Sequence, residues 1–157
     1  MKSKVQLSSY ALILTLILNL ILIICCVTML NETPGFWCVL CILLVLLFFG
    51  LLFGPTQIIA NRDYVIVKSY LRKQKISVRD IESVDLFQPT MGAMRICASG
   101  GYFGYWGIFR EGDVGRYCGY YGKSSDCFLI KMKNGDKYVL GCQNPKEMVA
   151  YIQTHIE

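Results

Sequence analysis

Charge is nearly excluded from the first third of the chain. One uncharged stretch runs from Val5 to Asn31 and a second from Thr33 to Asn61, with only Glu32 between them. Their apolar hearts are Ala11–Leu30 and Phe36–Phe53. As helices these would be about 30 and about 27 Å long, close to the hydrocarbon thickness of a bilayer. Backbone in lipid must satisfy its own hydrogen bonds, so each stretch is expected to be a spanning helix, over about 10–30 and 36–53. The first is too long for the apolar region of a signal peptide, and no small-x-small site follows Met29. Pro34-Gly35 is read as the reversal between the helices.

After Gly54 the pattern becomes polar and mostly two-periodic. Ile58–Ala60, a turn at Asn61-Arg62 and Asp63–Ser69 read as strand, turn, strand, with the β-branched and aromatic Tyr64-Val65-Ile66-Val67 at the centre of the second. Leu71–Lys75 reads as a polar connection. Ile76–Val78 is a short strand turning at Arg79-Asp80, and Ile81–Leu86 continues extended until Pro89. Phe128–Lys133 and Asp136–Leu140 flank Asn134-Gly135, the pair favoured in a type I′ hairpin turn. Asn144, Pro145 and Glu147 form a helix-start signal of the capping-box kind, followed by an apolar stripe at Met148, Val149, Ile152 and Ile156. Between these lies Gly100–Gly122, made mostly of glycine and aromatic residues. It is read as strands with bends, the aromatics supplying contact area and the glycines close approach. The sum is an α+β unit of about seven short strands with a C-terminal helix.

Composition narrows what this unit can do. The chain's net charge is +5, and its tail, with 14 Lys and Arg against ten acids, is mixed in sign, too mild for nucleic acid and suited to an anionic membrane surface. Lys2 and Lys4 precede the first helix, the connecting turn carries no Lys or Arg, and Arg62, Lys68, Arg72, Lys73, Lys75 and Arg79 follow the second. Both ends are therefore expected to be cytoplasmic. The sequon Asn31-Glu32-Thr33 lies too close to the membrane in a short turn to be read as a glycosylation site. Of the eight cysteines, four lie in the hairpin; the four of a cytoplasmic tail are expected to be reduced, small apolar residues, and they are scattered singly, which argues against zinc. No metal, cofactor or catalytic residue is expected. His155 is the only histidine and has no orienting partner in sequence, while Asp80, Glu82 and Asp85 read as a solvated turn. Asn19 is the one strongly polar residue at membrane depth, expected to bond to the other helix or to a neighbouring copy.

Three segments carry a resemblance to a known family. Lys75-Ile76-Ser77-Val78-Arg79-Asp80-Ile81-Glu82-Ser83-Val84 is similar to that family's strand followed by a (D)-I-x-x-V turn. Gly100–Phe109 resembles its glycine-aromatic stretch, and Tyr138–Pro145 its final strand with an Asn-Pro helix cap. Together they resemble the bacterial branch of pleckstrin-homology (PH)-like domains, over about residues 56–156. The resemblance implies a bent antiparallel β-barrel corked by a C-terminal α-helix, behind two transmembrane helices. The implied division is a helical hairpin at 1–55 and a cytoplasmic domain at 56–157. It also implies a non-catalytic binding platform, without naming a ligand. The basic loop of the family's phosphoinositide binders is not matched, since the Asn61-Arg62 turn has one cation.

Two groups are candidate sites on these grounds. Arg72, Lys73, Lys75 and Arg79 are candidate contacts to lipid headgroups, against the plainer reading that they set topology. Tyr102, Phe103, Tyr105, Trp106, Tyr120 and Tyr121 are a candidate partner face, against the reading that Phe103, Trp106 and Phe109 fill the barrel while the tyrosines sit at its rim. The expected function is a membrane-anchored scaffold whose domain engages a protein partner or lipid headgroups. The alternative is an accessory subunit of a transporter or envelope complex, with the hairpin as the surface for a membrane-protein partner or for self-association. A thiol redox role for Cys38 and Cys41, which resemble the C-V-L-C of quinone-linked oxidases, is a distant third because no Arg or His adjoins them.

Overall fold

The computed structural model describes residues 1–30, 33–90 and 92–156. In chain order the elements are β1 (Lys2–Lys4), α1 (Ser9–Thr28), α2 (Thr33–Phe53), β2 (Pro55–Ala60), β3 (Tyr64–Ser69), β4 (Lys73–Ser77), β5 (Ile81–Leu86), β6 (Met94–Gly101), β7 (Gly104–Glu111), β8 (Gly115–Tyr121), β9 (Cys127–Met132), β10 (Lys137–Gly141) and α3 (Pro145–Gln153). A single 3₁₀ turn, Val78–Asp80, joins β4 to β5.

The two helices are apolar all round and long enough to cross a membrane. Only 6% of each apolar window is buried, which separates them from the core helices of a water-soluble protein. Ser8 starts α1 by accepting a hydrogen bond from Ala11 N at 3.1 Å. Helix α2 begins at Thr33, so Pro34 and Gly35 lie in its first turn and not in a reversal. Proline fits there because a first-turn N–H has no partner to lose. Asn31 and Glu32 of the sequon lie outside the described residues.

Both ends of the helical hairpin are stitched into the same sheet. β1, ahead of α1, pairs antiparallel with β2, directly after α2, in the register Lys2↔Ile59 and Lys4↔Gln57. The same segment ties to the second sheet, with Gln143 N donating to Lys4 O at 3.0 Å and Ser8 N to Gly122 O at 2.9 Å. A compositional boundary at residue 55 therefore does not separate the contacts, because the first residues of the chain are a strand of the domain.

The strands form two open sheets, ordered β1-β2-β3-β4 and β5-β9-β10-β8-β7-β6. Nine strands follow the hairpin where about seven were expected, and they lie in two sheets that do not close into one barrel. One neighbour pair is parallel, β10 with β8 at Tyr138↔Cys118, because β10 inserts between β8 and β9. The main core lies between the first sheet, the β5-β9-β10 half of the second and α3. It contains Ile58, Val65, Ile81, Phe128, Ile130, Leu140, Met148 and Ile152, none more than 1% exposed. The α3 stripe packs as its spacing implies, with Ile156 at its margin. A smaller cluster of Phe109, Tyr117, Tyr121, Leu129 and Val139 covers the other face of the second sheet.

Three local expectations are corrected. Lys73–Lys75 belong to β4, where both lysines stay exposed on the edge of the first sheet. The β9–β10 connection is not type I′. Only Gly135 is left-handed (φ +89°), while Asn134 accepts from Asp136 N at 2.9 Å in an Asx turn, giving a longer loop. Asn144 does not cap the α3 backbone; its Nδ2 donates to Glu147 Oε2 at 3.3 Å.

Candidate functional site

The glycine-aromatic segment forms β6, β7 and β8, and its tip lies against the hairpin. β6 and β7 are joined by Tyr102 and Phe103 between the paired Gly101 and Gly104. The backbone and side chains of this tip are satisfied largely by α1. Phe103 N donates to Thr15 Oγ1 at 3.0 Å, and the Tyr102 hydroxyl donates to Asn19 Oδ1 at 3.2 Å. Asn19 Nδ2 in turn donates to Thr15 O at 2.7 Å. Within the tip, Tyr102 O accepts from Ser99 Oγ and from Trp106 Nε1, both at 2.9 Å. Asn19 thus bonds to the domain, not across the hairpin to α2.

Phe103 is the only non-glycine residue among those described with a positive φ, +54°. A left-handed bulky residue carries strain of order 1–3 kcal/mol, and here it turns the ring onto α2. Gly50 makes the seat, since a Cβ there would come within 2.5 Å of the Phe103 ring. The strain and the missing side chain serve one contact.

Beside the tip runs an apolar groove of about 700 Å³. Leu18, Leu46, Phe49 and Phe53 form its helical wall; Trp106, Ile108, Cys118 and Tyr120 stand on the sheet wall. Phe53 stacks on Trp106, with ring centroids 5.3 Å apart, and the Arg72 guanidinium lies over the Phe53 ring, 5.3 Å from its centroid. Burial pushes the Tyr120 phenol up, with Cys118 adding to the rise and Arg72 opposing it. The β3–β4 turn that carries Arg72 is fixed to the helix end by Leu71 N donating to Leu51 O at 3.2 Å.

The candidate partner face is thereby divided. Tyr102 is buried against α1, and Trp106 and Tyr120 line the groove. Tyr105 and Tyr121 stack on each other at 5.1 Å on the opposite face of the sheet, in the smaller cluster. Tyr117 and Tyr121 are as buried as Phe109, so tyrosine is core here as well as rim. Burial pushes both phenols well above their usual range. For Tyr117 the carboxylate of Glu111 adds to this, and its hydroxyl lies 3.4 Å from Glu111 Oε2. Glu111 also accepts from Thr90 N and Thr90 Oγ1, at 3.0 and 2.6 Å, which pins the loop over this cluster.

The four basic candidates do not form one cluster. Arg72 and Lys73 stand at the helix-proximal start of β4 and Lys75 midway, its Nζ 5.7 Å from the Tyr64 ring centroid. Arg79 lies beyond the distal end of the strand, 3.9 Å from Asp63. The groove, and the place of Arg72 over Phe53 beside it, were missed by sequence reasoning. The available signal was the pairing of polar Thr15 and Asn19 on one face of an otherwise apolar helix. Burial raises the thiols of Cys118, Cys127 and Cys142 above the usual range. Cys38 and Cys41 are exposed, unbridged residues of α2. His155 Nδ1 lies 2.8 Å from Tyr151 O. Among the described residues no group of side chains has the makings of a metal site.

A family model described as "Bacterial PH domain" matches residues 56–156. No curated protein and no solved structure matches the chain.

Proposed function

Because the chain belongs to the bacterial PH-domain family, whose fold is generally a non-catalytic binding module, we propose that it is a membrane-anchored scaffold whose domain works at the bilayer surface. The observation that carries this reading is the joining of both ends of the apolar hairpin to one sheet through β1 and β2. The domain is held at the helix ends as a fixed body, not on a tether, which raises its effective concentration toward partners and lipids in the membrane. The Lys and Arg that flank the hairpin favour a cytoplasmic domain. Exposed Tyr70 and Leu71, beside the helix end, are side chains suited to the headgroup level.

Two measurements test the reading. Alkaline carbonate should leave the chain in the membrane pellet. In a cysteine-free background, a thiol placed at Asn134 should be protected from an impermeant maleimide in intact cells. Release into the supernatant, or labelling without lysis, overturns it.

A second reading, as the accessory subunit of a membrane complex, draws on the open edge of the second sheet. Among the described residues β6 pairs only with β7, and its Met94 and Ile96 are 68% and 53% exposed. An extended strand from a membrane partner fits such an edge. Under this reading Ile96→Pro abolishes co-purification of the partner, and under the first it does not.

A further inference from the structure

We propose that the groove between the hairpin and β6–β8 is a binding site for one membrane phospholipid, with an acyl chain in the groove and the phosphodiester at Arg72. The inference rests on the membrane-anchored reading.

The groove has the shape of such a ligand. Its mouth is at Phe53, the last residue of α2, and its helical wall descends to Leu46, seven residues or about 10 Å deeper. Leu18 on α1 closes the wall at a similar distance from the start of that helix. If the hairpin spans the bilayer, the groove opens at headgroup level and runs into the hydrocarbon layer. Its volume of about 700 Å³ lies within the range of about 300–1,000 Å³ usual for small-molecule sites. Gly107 and Cys118 keep the opposite wall low where larger side chains would fill it.

Chemistry points to hydrocarbon in the depth and phosphate at the mouth. The polar groups along the inner part already have partners: Ser99 Oγ and Trp106 Nε1 donate to Tyr102 O, and the Tyr102 hydroxyl donates to Asn19. A ligand with hydrogen-bonding groups would find nothing to bond there, whereas a chain of methylenes asks for nothing. At the mouth the Arg72 guanidinium lies over the Phe53 ring, 5.3 Å from its centroid. Its side chain forms no ion pair among the described residues, where Arg79 pairs with Asp63. A guanidinium there suits the phosphodiester oxygens at the same height. This site is separate from the Asn61-Arg62 turn, which stands at the opposite end of β2 and β3.

The test uses the full-length protein reconstituted in vesicles of phosphatidylglycerol and phosphatidylethanolamine, then extracted in detergent. Native mass spectrometry counts the phospholipids retained through repeated detergent exchange. The wild-type chain is expected to keep one. Ile108→Trp, which fills the groove from the sheet wall, should keep none while its melting transition stays cooperative. Arg72→Ala should release its lipid about tenfold faster. A Trp37→Phe variant, in which Trp106 is the only tryptophan, should be quenched by phospholipids brominated in mid-chain, and Ile108→Trp should lower the retained count in parallel. Equal retention in wild type and both variants overturns the proposal, as does a wild-type chain that retains no lipid. A peptide or protein retained in place of lipid also overturns it. Carbonate extraction separates this failure from failure of the anchored reading, because an anchored chain can pellet and still hold no lipid.

Discussion

The two halves of the second sheet belong to one hydrogen-bonded array and have different fates. In β9 and β10, Phe128, Ile130 and Leu140 are fully buried against the first sheet and α3. In β6 and β7, Cys97 is exposed and Trp106 and Ile108 are only half-buried, though they lie on the continuation of that sheet. The first half is finished by the domain's own strands. The second projects past them and is finished by the hairpin, through Thr15, Asn19, Gly50 and Phe53. Packing against a core is close and cooperative. Packing against two helices with a groove between leaves room for something else. The difference separates a region that makes the fold from a region available for binding, and substitutions can test whether the two are independent.

Phe128→Ala should have the largest effect. The ring is fully buried in the main core, and such truncations cost about 3–5 kcal/mol. Thermal unfolding in detergent should shift strongly downward and carry both halves of the sheet with it. If β6–β8 kept native amide protection while β9 and β10 lost theirs, the two halves would be separate folding units.

Gly50→Leu acts on the other region. Any Cβ at that position meets the Phe103 ring, and overpacking of this kind costs about 1–3 kcal/mol. Hydrogen exchange should rise at residues 100–107 while Val65, Ile130 and Leu140 stay protected. A uniform loss of protection would mean that the hairpin contact is part of the core after all.

The region closed by the domain's own residues was largely legible in the sequence, and the region closed by the hairpin was not. The β-branched run Tyr64–Val67, the strand Ile81–Leu86 and the stripe of α3 follow rules that act within a few residues, and the structure has them. β1 was illegible because Lys-Ser-Lys has no strand pattern; it pairs because the hairpin returns β2 beside it. The lysines hid the start of β4, since an edge strand tolerates charge on its outer side. Glycine and aromatic residues in 100–122 announced close packing but not its object. Phe103 sits on Gly50, and Phe109 lies against Gly119 on the next strand, where a Cβ would meet the ring at 2.9 Å. Such pairs are set by topology, which local spacing does not carry. For the same reason the polar Asn19 could be recognised as needing a partner, while Tyr102 could not be recognised as that partner.

Asn19→Leu should sharpen the boundary with a smaller effect. It removes the acceptor of the Tyr102 hydroxyl, and hydrogen bonds between membrane helices are worth about 0.6–2 kcal/mol. Tyr102→Phe should cost a similar amount. In the double variant the costs should fall short of their sum, because either change alone already removes the bond. Strict additivity, read from exchange at residues 101–105, would show that the two side chains are neighbours without coupling.

The smallest effect belongs to Arg79. Its guanidinium is 3.9 Å from Asp63, with the two side chains 86% and 65% exposed, and ion pairs this exposed contribute little. It also stands at the far end of β4 from the helices, so distance removes it from the bilayer in the proposed arrangement. Arg79→Ala should leave the melting temperature and the retained phospholipid unchanged, whereas Arg72→Ala should change lipid release. Both variants remove one positive charge within the same stretch of sequence. If they weakened lipid retention equally, net charge would be the governing quantity, and the position of Arg72 over Phe53 would carry no special meaning. Unequal effects would tie retention to the groove mouth, because position is what distinguishes the two cations.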